Sequence, residues 1–429
     1  MNGSPSRGTR RDFLKTSATA TLGTSVLAGM VVPRRVHAAG SDTLKIGLIG
    51  MGGRGTGAAV DALSADPGAV LTAVGDAFAD RAQGSLAALR AQPEVASRVQ
   101  VADDHVFVGF DAYKQVIDSG VDVVIHATSP HFRPQHLAYA VAAGKHNFVE
   151  KPVAVDAPGV RSVIETCRQA EEKKLAIVSG LCYRYNPAVR AVIQKVHDGA
   201  VGEIIAIESA YNAGTLWHRG DNPQWSRMEY QMRNWLYYTW LSGDHIVEQA
   251  VHSLDKVAWL LGDTHPVRAW GMGGRQQRTG ENFGHIYDHH SIVFEYDSGV
   301  RVYSTCRQQA GVSTLVDELV HGTGGKAEIL RGRITAAEKW RYEGPNPSMY
   351  RVEHEELFKS IRAGQPINNG HYMANSTMYA IMGRMCTYTG QLLTWDQCLN
   401  SQEKLGPETY EWGDLPEPPV AIPGVTKFV

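Results

Sequence analysis

Along the chain from Leu44, unbroken apolar runs alternate with segments whose apolar positions recur every three or four residues. Residues 44–50, 70–76, 121–127, 147–150 and 176–183 are runs of Val, Ile and Leu with little polar interruption. Such runs suit strands covered on both faces. The intervening stretches predict helices: one starting near Arg54, one through Leu86 and Leu89, then 133–143 and 158–173. Strand–helix units joined by short Gly-rich turns predict a doubly wound parallel sheet with ligands at the carboxyl ends of its strands.

After Asn186-Pro187 the pattern changes. Residues 202–209, 291–296 and 300–304 predict strands of a mainly antiparallel sheet, with Asp297-Ser298-Gly299 as a hairpin turn. An aromatic-rich insert, 211–241, leads to a helix expected from about Ile246 to Leu261. The Pro-rich end, 406–429, predicts an extended tail. The expected fold class is therefore α/β, with a doubly wound domain over 42–184 and an α+β domain with an open, mainly antiparallel sheet over 185–405.

The first residues predict where the protein works. Thr9-Arg10-Arg11-Asp12-Phe13-Leu14-Lys15 reads as a twin-arginine export signal, followed by an apolar stretch too short and polar to be a good membrane span. Val36-His37-Ala38 offers the small-residue pattern of a cleavage site, so 1–38 is expected to be a signal peptide and the mature protein periplasmic or otherwise exported. That route carries folded proteins and implies the export machinery as a partner.

Charge and cysteine usage narrow the classes. Residues 1–38 hold six basic side chains against Asp12 in a chain of net charge −2, so the remainder is distinctly acidic. An acidic surface argues against nucleic acid and anionic membranes as partners. Five scattered cysteines, Cys167, Cys182, Cys306, Cys386 and Cys398, show neither metal-ligand spacing nor a disulfide framework.

Three motifs carry chemistry. Gly50-Met51-Gly52-Gly53-Arg54-Gly55 follows a strand and opens a helix, the context in which such glycines bind a dinucleotide diphosphate. Asp76 ends the next strand, about 20 residues on, where a carboxylate binds the adenosine ribose and favours NAD over NADP. Glu150-Lys151-Pro152 ends a strand at the ligand-binding edge, where an ammonium could stabilise an alkoxide. Glu248, His252 and Asp255, spaced by four and three, would share one helical face, with the acid orienting the imidazole as a general base. Trp217, Trp225, Tyr230, Trp235, Tyr237, Tyr238 and Trp240 could stack on sugars or form core. His245, His285, Asp288, His289 and His290 are possible metal donors without a matched ligand spacing, so no metal is expected.

Together these motifs, with Ala143-Gly144-Lys145-His146 before Glu150-Lys151-Pro152, resemble the Gfo/Idh/MocA family (glucose–fructose oxidoreductase, inositol dehydrogenase, rhizopine catabolism). The resemblance implies a Rossmann domain, a C-terminal domain with a large open sheet that mediates dimers or tetramers, and redox chemistry at a sugar or polyol hydroxyl. By position it implies that Lys151 hydrogen-bonds the reacting hydroxyl and His252 moves its proton. Glu248 stands where the family usually has aspartate. It places Thr128, Ser129 and His136 on the nicotinamide side, and Tyr183 and Arg184 at the mouth of the site.

The expected function is an NAD-dependent sugar oxidoreductase with a tightly bound nucleotide. An NAD-dependent glycoside hydrolase working by transient oxidation and elimination is the alternative. A non-catalytic sugar- or nucleotide-binding protein is a further one.

Overall fold

The computed structural model describes residues 43–429, so the signal-peptide reading of 1–38 lies outside the described residues. The first layer alternates as the apolar runs predict: β1 (Leu44–Ile49), α1 (Gly53–Ala65), β2 (Ala69–Asp76), α2 (Ala79–Arg90), β3 (Val106–Val108), α3 (Ala112–Asp118), β4 (Val123–His126), α4 (Arg133–Ala142), β5 (His146–Val149), α5 (Ala157–Glu172) and β6 (Ile177–Ser179). These strands form one parallel sheet in the order β3-β2-β1-β4-β5-β6. That is the doubly wound order of a Rossmann fold, whose chain reversal beside β1 opens a crevice for a dinucleotide. Helices cover both faces, which explains why Ile46, Leu48, Val123, Val124 and Phe148 can all be buried without alternation.

The second layer begins with α6 (Pro187–His197) and β7 (Ile204–Ala213), then α7 (Arg227–Arg233), α8 (Thr239–Ser242), α9 (His245–Glu248) and α10 (Val251–Leu260). It continues through β8 (Arg268–Gly274), β9 (His289–Glu295), β10 (Arg301–Gln308), β11 (Leu315–Gly322), β12 (Gly325–Glu328), β13 (Arg333–Ala336) and β14 (Lys339–Arg341). The chain ends with α11 (Met349–Arg362), α12 (Gly370–Thr389), β15 (Leu393–Thr394) and α13 (Trp395–Leu399), followed by an irregular tail. Nine strands make the sheet, in the order β14-β13-β12-β11-β7-β10-β9-β8-β15; only the β7–β10 pair is parallel. The hairpin at Gly299, with φ 82°, joins β9 to β10 as expected. Nearly every residue of α12 from Met373 to Thr389 is buried, because it runs between the large sheet, α5 and α10.

Three expectations need correction. The first domain is not one stretch of chain over 42–184: α11 returns to it, burying Leu357 and Phe358 in its core, and Ile177 N donates to Ile367 O at 2.8 Å. No periodicity marks that return, since it depends on a long-range docking. The strand expected over 176–183 ends at Ser179, and Cys182–Tyr185 form a 3-10 turn that carries Tyr183 and Arg184. The helix expected from about Ile246 is two pieces, α9 and α10, interrupted at Gln249 and Ala250.

Candidate active site

The glycine turn, Asp76, Thr128 and Lys151 lie along the carboxyl edge of the parallel sheet, and Glu248 and His252 lie on α9 and α10. Gly50 turns the chain with φ +97°, and a Cβ there would sit 2.5 Å from the backbone of Ala127 and Thr128. A Cβ on Gly55 would lie 1.9 Å from Gly50 O, so α1 can start this close to β1 only with glycine. The Met51 amide donates to Asp76 Oδ2 at 2.6 Å and the Phe78 amide to Oδ1 at 2.9 Å, fixing the carboxylate at the end of β2. Burial pushes the Asp76 carboxyl up from its ordinary range.

Gly50, Gly52, Asp76 and Phe78 line an open crevice together with Thr128, Ser129, Phe132 and His136. Its far wall comes from the insert, through Met232 and Trp235. Thr128 Oγ1 is buried there with no hydrogen-bond partner among the described residues. His136 is stacked on Tyr113 with ring centroids 4.0 Å apart, and burial holds it well below the ordinary imidazole range. A glycine turn at a helix N-terminus, a carboxylate at the tip of β2 and an unpaired hydroxyl in the wall fit a dinucleotide. Arg54 differs from its expected place. Its guanidinium is held by Glu150 at 2.5 Å and Glu353 at 3.1 Å, with Asp61 at 3.5 Å. The backbone at the start of α1, from Gly52 on, remains to meet a diphosphate. Glu150 itself is buried by this pairing and reaches no part of the crevice wall.

Lys151 follows β5, whose last turn is tied to β4 by Glu150 N donating to His126 O at 3.0 Å. Its Nζ donates to Glu248 O at 2.6 Å and to Glu248 Oε1 at 3.2 Å. An ammonium has three donors, so one remains for a ligand. The expected Glu248–His252 pair does not form: the helix break turns Glu248 to Lys151, and no Glu248–His252 hydrogen bond exists. Glu248 Oε2 and His252 Nδ1 are buried atoms without a partner among the described residues. The His252 ring meets the Tyr183 ring edge-on at 5.3 Å. Burial, then the charges of Lys151, Lys256 and Arg54, hold His252 well below 6.5, so its imidazole is neutral.

Arg184 and Asp255 are not at the mouth. Asp255 is 1% exposed and accepts from Arg184 Nε at 2.9 and 3.1 Å and from Ser376 Oγ at 2.8 Å. Arg184 Nη2 also donates to Asp263 Oδ1 at 2.5 Å, and its guanidinium lies 3.8 Å from the Tyr372 ring centre. The pair is a buried structural clamp between the turn after β6 and the middle of α10. The aromatic insert is mostly core: Tyr230, Tyr237, Tyr238 and Trp240 are buried with Phe78 and Phe132, while Trp217, Trp225 and Trp235 are partly covered.

Other groups carry no signal in a single sequence. Arg133, 5% exposed, donates to Thr128 O at 2.6 Å and to Pro152 O, linking the crevice wall to the residue after Lys151. Lys256 Nζ lies 3.2 Å from Glu318 Oε2, both side chains fully buried, and 4.0 Å from the Tyr183 ring centre. Burial pushes the Glu318 carboxyl up to about 7 despite that neighbour. Asp244, His245 and His290 bring donor atoms within 4.8 Å of one another. The Asp244 carboxylate is already filled by Tyr287 N at 2.9 Å, the Tyr388 hydroxyl and both imidazoles, and so anchors the start of α9. The five cysteines are buried and free.

Residues 44–178 match the sequence profile of an oxidoreductase family with an NAD-binding Rossmann fold, and residues 189–328 match the profile of the Gfo/Idh/MocA C-terminal domain. The chain belongs to the Gfo/Idh/MocA family. Among its Gfo/Idh/MocA relatives, inositol 2-dehydrogenase 3 of Saccharopolyspora erythraea is 27% identical over 263 residues, 61% of this chain and 65% of that protein. A glycosyl hydrolase family 109 protein of Solibacter usitatus is 27% identical over 233 residues, 52% of this chain and 51% of its own. The chain therefore matches between about half and just under two thirds of these relatives' length. The fold of a levoglucosan dehydrogenase, solved with NADH and levoglucosan, superposes with a TM-score of 0.64 at 17% identity, over 82% of this chain and 99% of that one. At that identity the likeness is one of fold.

Proposed function

We propose that this member of the Gfo/Idh/MocA family is an NAD-dependent oxidoreductase acting on a hydroxyl of a sugar or sugar derivative. The observation that carries the reading is the Lys151 ammonium, held by Glu248 with one donor left over, near enough to the neutral His252 imidazole for its charge to act on that ring. Bound nicotinamide supplies the hydride acceptor. The chain's own residues do the rest. Lys151 donates its remaining N–H to the substrate oxygen and stabilises the alkoxide, and the neutral His252 imidazole takes the hydroxyl proton. Glu248 holds the ammonium through its carbonyl and carboxylate, and its open Oε2 accepts from a neighbouring hydroxyl. Asp76 supports NAD over NADP, because a second anion at the ribose would face a carboxylate.

The leader motif Thr9–Lys15 supports export of the folded protein with its nucleotide, and hence a periplasmic enzyme whose nucleotide is retained. Ile205, Met272, Tyr303 and Leu315 are exposed on the outer face of the nine-stranded sheet, which supports a homo-oligomer through that face. No described helix is long and apolar enough to cross a membrane.

The similarity to a glycosyl hydrolase family 109 protein favours a second reading, glycoside cleavage through transient oxidation at the same centre. Denaturing the purified protein and assaying the supernatant separates these readings from a non-nucleotide protein. NAD near one equivalent, or binding of added NAD, is expected. Net accumulation of reduced nucleotide with a panel of sugars marks the dehydrogenase, and release of an aglycone without it marks the hydrolase. An empty supernatant and no binding would refute both.

A further inference from the structure

The tail after α13 has no helix or strand, yet it is anchored at both ends of its course and crosses the crevice wall. Leu405 N donates to Asp156 Oδ2 at 2.9 Å. Gly413 O accepts from Met228 N at 3.1 Å, and Leu415 O accepts from Gln231 Nε2 at 2.9 Å, both on α7. Further on, Ala421 O accepts from the Tyr287 hydroxyl at 2.9 Å.

Between the first two anchors the tail places two rings against the aromatic side chains that line the crevice. Trp412 packs on Phe110 at 4.6 Å and on Phe78 at 5.4 Å between centroids. Tyr410 packs on Phe132 at 5.3 Å and on Phe110 at 5.8 Å, and its hydroxyl is 2.8 Å from His131 Nε2. Phe78 and Phe110 lie two residues past β2 and β3, beside Asp76, the proposed ribose ligand at the tip of β2. In a doubly wound sheet that is the adenine end of a dinucleotide. The insert closes the same end from inside. Arg233 pairs with both Asp80 oxygens at 3.0 Å and sits 4.1 Å from the Phe78 ring centre.

From this arrangement we infer that the C-terminal tail is part of the cofactor site: Tyr410 and Trp412 brace the adenine-end aromatics so that a bound dinucleotide is held as a non-exchanging group. The inference rests on the crevice being a dinucleotide site. Its physical content is kinetic. With the insert and tail both docked, Phe78 and Phe110 cannot swing outward without breaking ring contacts and the Gly413 and Leu415 hydrogen bonds, so release must wait for the tail to lift.

The test uses the full chain loaded with NADH and diluted into a large excess of NAD, with release followed by loss of bound-nucleotide fluorescence. The double variant Tyr410→Ala/Trp412→Ala loses the ring contacts and is expected to release NADH at least about tenfold faster than the parent. Trp412→Phe keeps a ring in place and is expected to release it close to the parent rate. Melting curves of all three report whether the fold survives. A double variant that melts like the parent and releases NADH at the parent rate would overturn the inference, as would Trp412→Phe releasing as fast as the double variant. A parent protein that neither carries nor binds NADH would instead refute the nucleotide reading itself, and the inference with it.

Discussion

Replacing Arg184 by leucine separates a structural clamp from a substrate contact. In the wild type its guanidinium neutralises two carboxylates, with Asp255 at 2.9 Å and Asp263 at 2.5 Å. Asp255 is 1% exposed, and burial already raises its pKa against the pull of Arg184. Arg184→Leu leaves that carboxyl in the core with only Ser376 Oγ as a donor. Breaking a buried pair from one side costs about 3–5 kcal/mol, and the lost stacking on Tyr372 adds roughly 1 kcal/mol. The double variant Arg184→Leu/Asp255→Leu removes the stranded charge, so it should recover most of the first loss. Urea unfolding at neutral pH of the parent, both single variants and the double variant gives the coupling energy directly. A coupling of about 2 kcal/mol or more is expected, with KM little changed in whatever variant remains folded. Arg184→Leu within about 1 kcal/mol of the parent, but with a greatly raised KM, would refute the clamp and restore Arg184 to the substrate.

Acid should destabilise the protein above the range in which ordinary carboxylates titrate. Burial holds His126, His131 and His285 at about 4, whereas the unfolded chain takes up these protons near 6.5. The unfolded state thus binds more protons between those values, and stability falls as pH falls, by about 2 kcal/mol per histidine at pH 5. Glu318, pushed up to about 7, works in the opposite direction but is one group. A urea midpoint that is flat from pH 7 to pH 5 would contradict this. The depressed His252 likewise predicts that the acid limb of kcat/KM lies well below 6.5, and half-loss of activity near 6.5 would count against a neutral base. Asp76→Asn should weaken NAD binding about tenfold to a hundredfold by calorimetry and narrow the gap to NADP. Unchanged affinities for both nucleotides would remove Asp76 from the site.

The parallel sheet, the glycine turn and Asp76 were legible because their causes are local. A strand covered on both faces has to be apolar throughout, and the tight turn at Gly50 admits no side chain. The second sheet was visible only as scattered strands, since the pairing of β7 with both β10 and β11 joins segments about 100 residues apart in sequence. Lys151 and His252 were singled out from position and type, but the contacts they make were not legible. A spacing of four assumes a continuous helix, and the break at Gln249 and Ala250 separates Glu248, which meets Lys151, from His252; Asp255 is taken by Arg184 from the turn after β6. Arg133, Lys256 and the docking of α11 and of the tail depend on contacts across more distant elements, which no periodicity encodes.

The most direct test of the central claim is single-turnover reduction of bound NAD in Lys151→Met and His252→Gln beside the parent, with NAD binding measured on the same samples. The account predicts that both variants keep NAD at parental occupancy and lose at least about a hundredfold in the rate at which reduced nicotinamide appears. Parental rates in both variants would contradict it.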